Sequence, residues 1–144
     1  MTERDDFIKK EAAKLLQPGE EIINTAYVVK QPGLLMQILL AGGLLLFLLT
    51  KAYYAVATKK RIILIRTKQG FIKPAMVNKG VEEIDLTKIA ESKTSGIANN
   101  RSITFVRRDG SKETIRIAPW SKLVTGQKEF LEQVPARINQ GATA

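Results

Sequence analysis

Neither cysteine nor histidine occurs among the 144 residues. Without thiols there are no disulfides and no thiolate metal sites, and a reducing compartment is permitted. Without imidazole as well, most zinc sites disappear, together with Ser-His and Cys-His nucleophile pairs and the usual general base near neutral pH. Walker-type phosphate loops and dinucleotide fingerprints are missing too. These gaps point away from catalysis, and neither a cofactor nor a metal is expected. Acid is missing over one long stretch. From Lys51 to Gly80 the chain carries eight cations, Lys51, Lys59, Lys60, Arg61, Arg66, Lys68, Lys73 and Lys79, and no carboxylate.

That stretch holds most of the net charge of +9, because residues 1–30 nearly balance. An excess so placed predicts an anionic partner. It directly follows the other conspicuous feature, twenty uncharged residues between Lys30 and Lys51, QPGLLMQILLAGGLLLFLLT. From Leu34 onward only Gln37 interrupts the aliphatic run before Thr50, so the polar stripe of a soluble surface helix is missing. The side chains expected to touch lipid are Leu34, Leu35, Ile38, Leu39, Leu40, Leu44, Leu45, Leu46, Phe47, Leu48 and Leu49. As one α-helix, residues 34–50 cover about 26 Å against a hydrocarbon core of about 30 Å, which permits a marginal crossing. Ala41-Gly42-Gly43 permits a re-entrant hairpin instead, with arms of about 12 Å. The third reading is a core helix buried in a soluble assembly. Lys51, Tyr53 and Tyr54 read as an interfacial edge, and Lys59, Lys60 and Arg61 as a basic turn that could meet headgroups; a solvated turn fits these last three equally well. Ala55-Val56-Ala57 has the form of a signal-peptidase site, but the preceding region is long, acidic and helical, so cleavage is not expected.

Elsewhere the pattern is β-rich. Residues 3–16 predict a short helix, with Thr2 and Asp5 spaced as a capping box and Phe7, Ile8, Ala12, Leu15 and Leu16 on one face. Pro18-Gly19 ends it, and residues 20–30 have strand character. YYAVAT and RIILIRT, joined at Lys59-Lys60, predict a hairpin. GFIKPAMV, residues 70–77, reads as an edge strand because of Pro74. IDL, IAESKTS, RSITFVRR and KETIRI follow, with turns at Ala98-Asn99-Asn100 and Asp109-Gly110. Ile103 and Phe105 should share one face, as should Ile115 and Ile117. Such spacing predicts a small antiparallel sandwich or barrel. A final helix is predicted from a Thr125 cap, with Phe130, Leu131, Val134 and Ile138 facing the sheet, shortened or kinked at Pro135 and frayed beyond Gln140. Trp120, after Pro119, could anchor at an interface, but an aromatic at a strand-to-helix corner is more often a core residue, and the core is expected here.

YAVATKKRIILI, residues 54–65, and EIDLTKIAE, residues 83–91, resemble the hairpin and following strand of bacterial pleckstrin-homology-like (PH-like) domain proteins. The resemblance extends from Leu16 to Val134. It implies a bent, seven-stranded antiparallel barrel capped by a C-terminal helix, homo-oligomerisation and no catalytic residues. The chain then divides into an N-terminal helix (1–19), a PH-like domain (20–30 and 51–140) and an inserted hydrophobic segment (31–50). No phosphoinositide site transfers, since the loop between the first two strands is the hydrophobic run itself. In this fold residues 20–29 would pair with the sheet formed after residue 51, which conflicts with a single crossing.

The expectation is a membrane-associated scaffold or adaptor at the bacterial inner membrane. Its β domain would face the cytoplasm by the positive-inside rule, with anionic lipids and an unidentified protein as partners. The competing reading is a soluble homo-oligomer that buries residues 34–50 between subunits. Nucleic-acid binding, with Phe71 or Phe105 as stacking platforms, is disfavoured because no recognition motif accompanies the charge.

Overall fold

The computed structural model describes residues 2–30, 50–68 and 74–143. Helix α1 covers Glu3–Ala13. Its capping box forms as the sequence predicts: the Asp5 amide donates to Thr2 Oγ1 at 3.1 Å and the Thr2 amide to Asp5 Oδ2 at 2.7 Å. The helix stops short of residue 16, because the Leu15 and Leu16 amides both turn back onto the Ala12 carbonyl.

Seven strands follow: β1 (Asn24–Lys30), β2 (Lys51–Ala57), β3 (Arg61–Thr67), β4 (Val81–Asp85), β5 (Ile89–Ile97), β6 (Asn100–Arg107) and β7 (Lys112–Ile117). They form one antiparallel sheet in the order β4-β3-β2-β1-β7-β6-β5. The expected closure into a barrel is not made. β4 and β5 are the two edges, and they are joined by a 3-10 turn at Leu86–Lys88 rather than paired. The β2–β3 hairpin turns at Lys59-Lys60 as predicted. The edge strand expected at 70–77 is not found in its described part, residues 74–77; residues 69–73 lie outside the described chain. Pro74 has no amide to donate, and the Ala75 carbonyl is taken by the hydroxyls of Tyr54 (2.9 Å) and Thr67 (2.6 Å) rather than by a strand.

Both faces of β2 and β3 are covered, which is why their residues are buried continuously rather than alternately. On one face Ile8 and Ala12 of α1 pack with Tyr54, Val56, Ile63, Ile65 and Val124. On the other, Tyr53, Ala55, Ile62 and Leu64 join Ile103, Phe105, Ile115 and Ile117 under the C-terminal helix α2 (Gln127–Thr143). The pairing of Ile103 with Phe105 and of Ile115 with Ile117 on the core face is as expected.

Helix α2 departs from expectation at three points. Thr125 does not cap it but bonds through its amide and hydroxyl to Asp5, tying the start of α2 to α1. Pro135 neither ends nor shortens it. The helix continues to Thr143, so the expected fraying at Gln140 is not seen, because Phe130, Leu131, Val134 and Ile138 anchor it to the core on both sides of the proline. Trp120 is not a core residue: it is 61% exposed, with the Lys128 ammonium 5.0 Å from its ring centroid.

Candidate functional site at the end of the sheet that carries the hydrophobic run

β1 and β2 are neighbours over their full length, from Asn24 opposite Ala57 to Lys30 opposite Lys51. The apolar side chains from Leu34 to Leu49 lie outside the described residues, but both ends of the segment that bears them are fixed by this last pair. Directly opposed antiparallel residues are about 5 Å apart, so the chain leaves and re-enters the sheet at one place. A crossing that put β1 and β2 on opposite sides of a bilayer would break this ladder. This ladder is incompatible with a single span that separates β1 from β2.

The same end of the sheet receives the 68–80 connection, since Thr67 lies opposite Ala52. Lys51 and Lys68 are exposed there, as are Lys79 and the apolar side chains of Met76 and Val77. Beneath them Lys30 organises a small polar network. Its ammonium meets Glu113 and lies 3.4 Å from Glu82, and it stands 5.2 Å from the Tyr53 ring centroid. Arg107 also bonds Glu113, and the Tyr53 hydroxyl donates to Glu82. Burial, then the adjacent Glu82 carboxylate, push the Tyr53 hydroxyl well above its ordinary pKa, so it is a permanent donor.

Tyr53 and Tyr54 are thus not an interfacial edge. Both are fully buried, one in each core, because consecutive strand residues point to opposite faces and both faces of β2 are covered. Tyr54 stacks edge-on to Phe7 with centroids 5.4 Å apart, and its hydroxyl is held up in pKa chiefly by burial. Of the interfacial set, Lys51 alone sits beside the run.

Lys59, Lys60 and Arg61 go to the opposite end. β2 runs seven residues from Lys51 to Ala57, about 20 Å at about 3.3 Å per step, before the turn begins. The sequence-contiguous basic stretch is split by the hairpin into two groups. Arg61 is further removed from any headgroup: Nε and Nη2 grip Glu20 at 2.9 and 2.7 Å, Nη1 donates to Glu83 at 3.0 Å and Nη2 to the Leu15 carbonyl at 2.8 Å. Arg61 holds the Glu20 carboxyl down at about 2, from an ordinary 4.5. This is a structural clamp between the 14–20 loop and β3. Sequence reasoning missed it, although Glu20 and Glu83 were the available acids.

Phe105, weighed as a nucleic-acid stacking platform, is fully buried in the core, and Phe71 lies outside the described residues. Among the described residues no cluster of acids is placed to hold a metal, and no helix is long and apolar enough to cross a membrane. No family model and no curated protein matches the sequence.

Proposed function

We propose that the chain is a membrane-associated, non-catalytic module of PH-like architecture, acting as a scaffold or adaptor at the cytoplasmic face of a bacterial inner membrane. The Lys30–Lys51 pair carries this reading, because it confines the apolar run to an excursion from one end of the sheet. Such an excursion dips into one leaflet as a hairpin and returns, so the β domain stays on one side. Exposed Lys51, Lys68 and Lys79 surround that end, and each cation near an anionic surface adds about 1 kcal/mol of attraction. The strand order with α2 packed across one face supports the PH-like reading, and the open edges at β4 and β5 leave strands available for a protein partner or a second copy.

Carbonate-washed membrane fractionation tests the proposal. The protein should pellet with membranes and remain there at high salt, since apolar burial rather than charge anchors it. Full recovery as a monodisperse detergent-free particle would instead establish the soluble oligomer. Tags at the two ends should be protected from, or accessible to, protease together; opposite accessibility would overturn the hairpin.

A further inference from the structure

A second basic site lies around the 3-10 turn that joins β4 to β5, built from residues scattered along the chain. Lys59 from the β2–β3 turn, Arg108 from the β6–β7 turn and Arg137 from α2 line one open cleft of about 580 Å³. Buried Ile89 and Ile138 give it an apolar base, and Thr87 of the 3-10 turn forms a wall. No carboxylate is among its lining residues. The nearest acids in sequence are turned onto their own loops: Asp85 accepts from the Thr87 amide and hydroxyl (3.0 and 2.6 Å), and Asp109 from those of Ser111 (2.8 and 2.6 Å).

The backbone fixes this convergence. The Leu86 amide donates to the Lys60 carbonyl at 2.9 Å and the Arg108 amide to the Lys88 carbonyl at 3.0 Å, so both basic turns are fastened to the same 3-10 turn. Arg137 faces them from a helix held by the core. Its Nη2 is buried and has no hydrogen-bond partner among the described residues. Burial alone lowers the pKa of the guanidinium, with no anion to oppose it. An ionised donor left in that state is costly, and a bound anion reached by a small rotation of the side chain would relieve it.

We propose that this cleft binds a small soluble molecule bearing a phosphate or diphosphate, with Lys59, Arg108 and Arg137 on the phosphate oxygens and the remainder of the ligand over Ile89 and Ile138. Guanidinium forks suit phosphate, and two of the three cations are arginines. A lipid headgroup offers the same chemistry. Lys59 stands about 20 Å along β2 from the end that carries the apolar run, whereas Arg108 adjoins Arg107 of the Lys30–Glu113 network, so titration separates the two sources. The assignment does not depend on the membrane reading.

The test is titration of the full chain, in neutral detergent micelles, with inorganic pyrophosphate, followed by amide chemical shifts. Saturable shifts are expected at Lys59, Thr87 and Arg108. Arg137→Gln should weaken binding by roughly tenfold or more, and Lys79→Gln, at the other end of the sheet, by less than about twofold. Arg137→Gln should leave the ligand-free melting temperature unchanged or raised, because Nη2 makes no bond to lose. Should that variant misfold, Lys59→Gln carries the comparison, since its side chain is exposed at a turn. Absence of saturation by about 10 mM, or equal loss in Lys79→Gln, overturns the site. Shifts at Lys59 and Arg108 that arise only with phosphatidylglycerol vesicles, and not with pyrophosphate, overturn the soluble ligand in favour of a lipid headgroup.

Discussion

Arg61 illustrates how a residue that reads as surface charge becomes a structural one. Its guanidinium makes four bonds to Glu20, Glu83 and the Leu15 carbonyl. Arg61→Ala leaves Glu20 without its counter-ion and should cost about 2–3 kcal/mol, read as a lower urea midpoint. The pH dependence has a definite sign. Glu20 ionises at about 2 when folded and near 4.5 otherwise, so its contribution is complete above pH 4.5 and is lost as the pH falls toward 2. Arg61→Ala should therefore lose less stability than the parent across that window. Asp5 behaves alike. Burial opposes its ionisation, yet hydrogen bonds from Thr125 and Thr2 outweigh burial and hold it at about 2. Because Asp5 caps α1 and also receives the Thr125 amide and hydroxyl, Asp5→Ala should cost about 2–3 kcal/mol, more than an isolated cap.

At the scale of elements, α2 is fastened to the sheet by two carboxamides that imitate a neighbouring strand. Gln127 accepts from the Tyr27 amide and donates to the Tyr27 and Ala118 carbonyls. Asn139 accepts from the Ser92 amide at 2.9 Å and donates to the Ser92 carbonyl at 3.1 Å, closing one position of the open β5 edge. Asn139→Ala should speed hydrogen exchange at Ser92 about tenfold while leaving β1 protected, and Gln127→Ala should do the reverse at Tyr27. Gly126 lets α2 begin this close to β1, since a Cβ there would meet the Thr25 carbonyl oxygen at 2.7 Å. These bonds also account for a helix that runs through Pro135.

For the whole molecule, the decisive fact is that the apolar run is an insertion between paired strands. With Lys30 opposite Lys51, residues 31–50 can be replaced by Asn-Gly, a two-residue turn suited to antiparallel neighbours. The shortened chain should keep the amide chemical shifts of the β-sheet and a cooperative melting transition, and remain in the supernatant after membrane fractionation. Its failure to fold would show that the run belongs to the core of the β domain, and would end the membrane reading.

Much of this was legible in the sequence by itself. The capping box, the β2–β3 hairpin, the alternation in β6 and β7 and the apolar face of α2 rest on residues close in the chain, where periodicity and turn chemistry decide locally. The missing thiols and imidazoles, and the run too greasy for a soluble surface helix, were likewise fixed by composition. Only the tertiary structure decided where each piece points. Tyr53 and Tyr54 became core because helices cover both faces of β2, and Trp120 stayed outside. The cations of residues 51–80 were divided between two ends about 20 Å apart by a single turn. Arg108 and Arg137 met Lys59 through backbone bonds that no local pattern announces. The physical reason is that hydrophobic patterning specifies which side chains leave water, whereas long-range strand pairing specifies which of them meet.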